Sequence, residues 1–170
     1  MDAAAAADLA LAKAPKGSAI DITQARELRQ GWYFPWRCDG PPAAGSKGVV
    51  VDKQNGRVVV LGSAYSLERD LSAFDEGYRF GAAFLIVKEV QDQQRALDLL
   101  SRLRIREVQP EFAHGVEWRI PRLLTWSELR SRLADLPCKL GPIAVYFAVE
   151  TLQEMRSSGS LIYELEETRS

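Results

Sequence analysis

The stretch Val49-Val-Val-Asp-Lys-Gln-Asn-Gly-Arg-Val-Val-Val-Leu61 decides the fold of the first half of the chain. Two runs of β-branched residues, which favour the pleated surface of a sheet, lie on either side of Asn55-Gly56. Asn and Gly tolerate positive φ, so this pair suits the tight turn of an antiparallel hairpin. The pattern predicts a β-hairpin over residues 49–61. Its turn has either two residues or a longer loop with Gly56 at a bulge.

An aromatic stretch, Gly31-Trp-Tyr-Phe-Pro-Trp-Arg-Cys-Asp39, precedes the hairpin. Side chains alternate between the two faces of a strand, so Trp32, Phe34 and Trp36 share one face. We expect this face to pack against the core rather than to stack on a ligand. Tyr33 lies on the opposite face. Pro35 cannot donate a ladder hydrogen bond, so the strand is expected to be at an edge or bulged there.

Two helices and a short strand are predicted around these elements. The alanine-rich residues 2–13 have high helix propensity. Residues 19–23 alternate in polarity, which indicates a strand. Ser66 is a good N-cap for a helix over residues 67–74, in which Leu67, Leu71 and Phe74 recur at helical spacing and form an inward face.

The second half mixes strands and helices. The predicted strands cover residues 83–89, 105–110, 115–121 and 160–165, with a hairpin turn around Ala113-His-Gly115. A helix is predicted over residues 92–104. Another begins after Leu124, because Thr125 and Glu128 form a capping box, and Trp126, Leu129 and Leu133 form its inward stripe. Residues 141–155 are ambiguous, and we prefer a helix that begins at Pro142 and ends near Gly159.

These elements predict an α+β fold. An N-terminal helix is followed by an antiparallel sheet with its hairpin and helix, and then by a mixed α/β C-terminal half. The expected domains are residues 1–80 and 81–170. Because no Pro/Gly/Ser-rich linker separates them, we expect the two to pack against each other.

Composition and charge exclude several classes of protein. The 170 residues are 46% hydrophobic and 26% charged, as in a soluble globular protein. The net charge of -1, from 22 basic and 23 acidic residues, does not favour a nucleic-acid binder. The apolar start carries acid where a signal peptide carries base, and Asp8 and Lys13 interrupt it. We therefore expect a cytoplasmic protein that does not act at a membrane.

The residues that usually carry chemistry are few. Cys38 and Cys138 are a hundred residues apart and His114 is the single histidine, so a zinc site is not expected. The two cysteines form either a long-range disulfide or, as a reducing cytoplasm favours, two thiols. No nucleophile or orienting acid accompanies His114. Arg37 beside Cys38 favours a thiolate, but a structural thiol is the preferred interpretation. We expect no catalytic residue, metal, cofactor or small-molecule substrate.

Four short motifs give residues 31–78 a resemblance to the YrhB-domain immunity proteins. They are Gly31-Trp-Tyr-Phe34, the hairpin with Val51-Asp-Lys53 and Asn55-Gly56, the exit Leu61-Gly-Ser63, and the helix from Ser66 that ends in Phe74-Asp-Glu-Gly-Tyr78. The loop over residues 40–48 is shorter than is usual in that family. Residues 82–170 resemble no family, so the surface that binds a partner can lie in that unmatched half as well as in the first half.

The resemblance implies a partner, because each protein of that family is thought to bind and block one bacterial toxin. The residues proposed for this contact are Tyr33, Tyr65, Asp70, Asp75, Glu76 and Tyr78. Exposed tyrosines are effective interface anchors. The three acids would speed encounter with a basic toxin, whereas the simpler interpretation of the same acids is a solvated helix end.

The sequence thus favours a non-enzymatic immunity protein that occludes the active site or substrate path of a cognate toxin. The alternative is a chaperone-like or scaffold protein that binds unfolded or multiple clients through an exposed apolar patch. An enzyme comes third, and it would need a pocket that joins His114 to Cys38.

Overall fold

A computed structural model describes residues 1–14, 19–37 and 46–168, except for the side chains at positions 46, 109, 111 and 113. The chain folds into two compact units, Met1–Tyr78 and Arg79–Ser170. Each unit combines helices with antiparallel sheet, so the predicted α+β class is confirmed. No helix in the described ranges is long and apolar enough to cross a membrane.

The first unit is built around one antiparallel sheet. Its strands run in the order β1-β3-β4-β5, and β2 also pairs with β3. In chain order the elements are α1 (Ala3–Ala12), β1 (Ala19–Ile20), a 3-10 turn (Ile22–Gln24), β2 (Arg26–Glu27), β3 (Gly31–Arg37), β4 (Ser46–Asp52), β5 (Val58–Gly62) and α2 (Leu67–Asp75).

The predicted hairpin is confirmed as β4 and β5, which pair Val49 with Val60 and Val51 with Val58. Its turn is the longer of the two forms considered. The Asp52 N–H donates to the Arg57 carbonyl at 2.9 Å, which leaves residues 53–56 as the loop. Gly56 adopts φ +70°, the left-handed region that glycine enters without a steric penalty.

Strand β3 is buried on both faces. The face with Trp32, Phe34 and Trp36 packs against α1, where Ala6, Ala7 and Ala10 lie in the same core cluster, so the core-strand prediction is confirmed. A Cβ placed on Gly31 would lie 2.8 Å from the Phe74 ring. Helix α2 therefore covers the opposite face. Because alanine side chains are short, α1 can lie close to the large aromatics.

The predicted strand over residues 19–23 is only partly correct. Pairing with β3 stops after Ile20, which lies opposite Trp36. The Asp21 carboxylate accepts hydrogen bonds from the Thr23 N–H at 3.0 Å and the Thr23 hydroxyl at 2.6 Å. This local capping stabilises the 3-10 turn and competes with strand pairing.

The second unit contains a sheet in the order β10-β6-β9 and a separate ribbon of β7 and β8. In chain order the elements are β6 (Ala82–Val90), α3 (Gln93–Arg102), β7 (Arg106–Ala113), β8 (Val116–Leu123), α4 (Trp126–Arg132), β9 (Cys138–Ala144), α5 (Val145–Ser158) and β10 (Leu161–Glu167). The predicted helix over 92–104 and the strands over 83–89 and 160–165 are confirmed.

The three-stranded sheet has an apolar face and a charged face. Leu85, Val87, Leu140 and Leu161 are buried on the first, and α5 contacts both β9 and β10. Ion pairs cross the other face, from Lys88 to Glu164 at 3.0 Å and from Lys139 to Glu166 at 2.8 Å.

The helix predicted over residues 141–155 begins too early. Residues 138–144 form β9, and α5 starts only at Val145. Residues 138–144 pair with β6, which places Leu140 opposite Leu85 and Ile143 opposite Ala83 and buries both β9 side chains. The far end is as predicted, since Gly159 ends α5 in the left-handed conformation.

Helix α4 confirms the predicted capping box. The Thr125 hydroxyl accepts from the Glu128 N–H at 3.3 Å, and the Glu128 carboxylate accepts from the Thr125 N–H at 2.8 Å. The inward stripe is confirmed for Leu129 and Leu133 and is wrong for Trp126, which is exposed.

Candidate protein-binding surface

Strands β7 and β8 form a two-stranded ribbon, which we call the β-ribbon (residues 106–123). The strands pair without a break from Arg106 opposite Leu123 to Ala113 opposite Val116. His114 and Gly115 connect them with φ of +52° and +76°. Positive φ at both central residues is what a type I′ turn requires, and this turn matches the twist of a hairpin.

Large apolar side chains are exposed on both faces of the β-ribbon. Opposed residues of an antiparallel pair point to the same side. Val108 and Phe112 therefore share one side, the Phe112 face, and Val116, Trp118 and Ile120 share the other, the Trp118 face. Phe112 is 76% exposed and Trp118 is 55% exposed.

This exposure is unusual for an element of a folded protein. Single exposed apolar residues are common, but a contiguous apolar patch generally marks a surface that binds another molecule. A hairpin without a third strand or a helix on one face is also only marginally stable in water. Within the described ranges, β7 and β8 form strand pairs only with each other, although β7 also contacts β9. The β-ribbon therefore has the properties of a surface that a partner completes.

Glu128 anchors the base of the β-ribbon. Its carboxylate accepts from the Thr125 N–H at 2.8 Å, from the Thr125 hydroxyl at 2.7 Å and from the Arg122 guanidinium of β8. These hydrogen bonds, first from Thr125 and then from Arg122, lower the pKa of Glu128 to about 2. A second ion pair joins Glu107 of β7 to Arg132 of α4. Helix α4 thus holds both strands at the end of the β-ribbon that lies opposite the turn.

A cleft of about 310 Å³ lies on the Phe112 face of the β-ribbon. Val108 and Pro110 line it from β7, and Glu117 and Arg119 line it from β8. Arg119 and Glu117 pair at 3.5 Å. The cleft therefore has an apolar wall and an ion pair whose charges cancel. Such a cleft can receive an apolar side chain and orient polar groups around it.

Two of the three tyrosines proposed as partner contacts are not at the surface. Tyr33 is 3% exposed and Tyr78 is 1% exposed, so the prediction that they are exposed is wrong. For Tyr33 the reason is that α2 covers the face of β3 that carries it, on the side opposite to α1. The Tyr33 hydroxyl donates to the Lys47 carbonyl at 2.8 Å, and burial raises the pKa of this phenol.

Asp70 is also internal, with no exposed surface. The ammonium group of Lys47 lies 3.0 Å from one carboxylate oxygen, and the guanidinium of Arg69 lies 3.0 Å from the other. A docking role for Asp70 is therefore replaced by a structural one. The ion pairs hold the start of β4 against α2.

The three remaining predicted contacts are Asp75, Tyr65 and Glu76, and they differ in how much of each side chain is exposed. The Asp75 carboxylate accepts from the backbone N–H groups of Arg29 and Gln30, at 3.2 Å and 3.0 Å, and so fixes the turn before β3. Tyr65 is half-buried with the Arg69 guanidinium 3.9 Å above its ring. Glu76 is exposed. The structure therefore does not gather the six residues into one patch.

The structure describes two of the three residues considered for catalysis. His114 lies exposed at the tip of the β-ribbon. Cys138 is a free, half-buried thiol in β9, and burial raises its pKa, which disfavours the reactive thiolate. Cys38 lies outside the described residues. Among the residues described, no three His, Cys, Asp or Glu side chains are grouped to hold a metal ion.

The apolar residues of the β-ribbon were not singled out from the sequence. Their strands were predicted, but exposure depends on whether a third element covers them. The sequence did contain one signal of this exposure. Apolar residues alternate along both strands, those of β7 face the side opposite to those of β8, and no further strand pattern flanks either strand.

Comparison with known proteins gives no relative of the chain. No protein-family model matches it, no curated protein matches it, and no solved structure matches it. The resemblance of residues 31–78 to the YrhB-domain immunity proteins stays a prediction.

Proposed function

We propose that this protein is an immunity protein that binds a cognate bacterial toxin domain through the β-ribbon and neutralises it without chemistry of its own. The observation that carries the proposal is the exposure of Phe112 and Trp118 on opposite faces of one ribbon. Aromatic residues dominate the binding energy of protein interfaces. The sequence resemblance of residues 31–78 supports the toxin as the class of partner.

The charges of the β-ribbon favour a protein as its partner. Residues 106–123 carry three arginines and three glutamates, so the ribbon has no net charge. A nucleic-acid or anionic membrane surface is recognised mainly by an excess of positive charge. We infer that neither is the target, and that the protein acts in the cytoplasm on a protein target rather than on a small-molecule substrate.

The β-ribbon suits the occlusion of an active site. It exposes apolar side chains on both faces and α4 holds its base, so its turn can enter a cleft of the toxin. A standard interface of about 1,600 Å² also includes surface around the ribbon. In this arrangement the side chains of the ribbon fill the substrate path of the toxin and exclude substrate.

The test is co-expression of candidate bacterial toxin domains with and without this protein. We expect the protein to rescue growth and to co-purify with the toxin. The double variant Phe112→Ser/Trp118→Ser should weaken the complex by about 30-fold or more, because loss of a central aromatic anchor costs about 2 kcal/mol or more. Both side chains are largely exposed, so the fold should be unaffected.

Ile22→Ser is the matched control, since Ile22 is an exposed apolar residue of the first unit. It should bind the toxin as the wild type does. Failure of the wild-type protein both to rescue growth and to co-purify would overturn the immunity function. Rescue that is unchanged by the double variant would instead remove the β-ribbon from the interface.

A second candidate function is supported by the same ribbon. Apolar side chains on both faces also suit a chaperone-like protein that binds unfolded clients. That function predicts that the protein suppresses the aggregation of unrelated, heat-unfolded proteins, as measured by light scattering. An immunity protein should leave this aggregation unchanged, because its affinity depends on complementarity to one surface.

A further inference from the structure

A second surface feature of the same unit is a groove of about 480 Å³ between the α3–β7 connection and the start of α5. We call it the arginine groove. Its walls consist of Arg102, Leu103, Arg104 and Arg106 on one side and Pro142, Ile143, Ala144, Phe147 and Ala148 on the other. One wall is therefore cationic and the other apolar, and no acidic residue lines the groove.

Two of the three arginines form no ion pair with a described residue. Arg102 pairs with Glu154 at 2.8 Å. Arg104 and Arg106 are exposed, and neither forms an ion pair with any residue in the described ranges. Arg104 adopts φ +50°, which is uncommon for a residue with a side chain. The groove is thus lined by two planar guanidinium groups, those of Arg104 and Arg106, which can donate hydrogen bonds.

The apolar wall is equally unusual in its exposure. Phe147 is 64% exposed although it lies on α5, whose other large apolar residues are mostly buried. Its ring contacts Tyr146 edge-on with centroids 5.2 Å apart, and Tyr146 contacts Phe80 in the same way at 5.4 Å. Phe147 therefore belongs to a series of aromatic contacts that continues to Phe80.

We propose that the arginine groove binds an extended acidic peptide segment of a partner protein. Carboxylates of the segment pair with Arg104 and Arg106, and an apolar side chain next to them packs on Phe147. Guanidinium groups bind carboxylates through two parallel hydrogen bonds, which gives orientation as well as affinity.

An extended peptide fits the groove better than a small molecule does. Sites for small molecules bury most of the surface of their ligand. Here the arginines and Phe147 are exposed, so a small anion would stay largely solvated, whereas a peptide can run along the groove and cover both walls. This proposal goes beyond the immunity function and does not require a toxin as the source of the segment.

The test uses the whole protein and a fluorescein-labelled peptide that alternates glutamate with leucine and phenylalanine. Fluorescence anisotropy should show binding that weakens as the salt concentration rises, because exposed charges are screened. The same peptide with glutamine in place of glutamate should bind at least about tenfold more weakly. Arg104→Gln/Arg106→Gln should reduce affinity for the glutamate peptide by a similar factor and leave the weak glutamine-peptide binding unchanged.

Arg130→Gln provides the matched control, since Arg130 is an exposed arginine of α4 outside the groove, and it should bind the glutamate peptide normally. Circular dichroism confirms that each variant is folded. Equal affinity for the two peptides would overturn the proposal, as would unchanged binding by the double variant. Displacement of the peptide by inorganic phosphate or by a single-stranded RNA at equal concentration would also overturn it, because the groove would then be a general anion site.

Discussion

At the scale of single residues, Asp70 shows both what the sequence reveals and what it hides. It lies between Leu67 and Leu71 on the helical stripe that faces inward, so its burial follows from the periodicity of α2. Its partners do not follow as simply. Arg69 is adjacent, but Lys47 is 23 residues earlier in the chain and reaches the carboxylate only through the pairing of β3 with β4. A charge at an inward helical position therefore predicts a buried ion pair without identifying the partner.

Asp70→Asn should lower the free energy of unfolding by about 3 kcal/mol, because it removes the anion from a buried site and leaves two cations without their counter-charge. Urea denaturation followed by circular dichroism measures the change. Asp8→Asn makes the same chemical substitution on the exposed side of α1 and should change stability by less than about 0.5 kcal/mol. Equal midpoints for the two variants would show that the ion pairs at Asp70 contribute nothing.

At the scale of secondary structure, elements with local signals were predictable and those defined by distant partners were not. The hairpin around Asn55-Gly56 and the capping box at Thr125 depend on residues a few positions apart. The stretch 138–144 has no such signal, since its residues suit either a strand or the first turns of α5. Its conformation is decided by β6, more than fifty residues earlier, which offers Leu85 and Ala83 as partners.

The stability of α4 and of the base of the β-ribbon should depend on pH through Glu128. The pKa of this carboxyl is lowered from 4.5 to about 2 in the folded protein. The stabilisation is therefore fully present above a pH of about 4.5 and is lost as the pH falls towards 2. Glu128→Gln cannot ionise, so it should be less stable than the wild type at neutral pH, and the difference should shrink in acid.

Urea midpoints of the wild type and Glu128→Gln at about pH 6 and about pH 3 measure this effect. A difference between the two proteins that is the same at both pH values would show that ionisation of Glu128 does not stabilise the fold.

At the scale of the whole molecule, the candidate site differs from the predicted one because exposure is a property of the complete fold. Tyr33 and Tyr78 were expected at the surface, and both are buried, Tyr33 beneath α2. Phe112 and Trp118 lie in strands that were predicted, and no described element covers them. Local patterns indicate which residues share a face, but they do not show which faces a third layer covers.

The exposed β-ribbon should govern the self-association of the protein. The chain has a net charge of -1 and an isoelectric point near 5.9, so charge repulsion between molecules is weakest at about pH 6. We expect light scattering of concentrated protein to be highest there and to fall for Phe112→Ser/Trp118→Ser, whose net charge is unchanged. If the double variant scatters as strongly as the wild type, contacts other than the ribbon cause the association.

The two prolines of the β-ribbon limit what this association can become. Ala113 and Val116 flank the two-residue turn and form a hydrogen-bonded pair, and such pairs alternate along the strands. Pro110 and Pro121 therefore fall at non-hydrogen-bonded pairs, where the backbone nitrogen points away from the partner strand. Each outer edge of the ribbon thus lacks one donor, which interrupts the template that strand-by-strand growth into fibrils requires. The ribbon can keep its aromatic faces available to a partner while its edges resist amyloid formation.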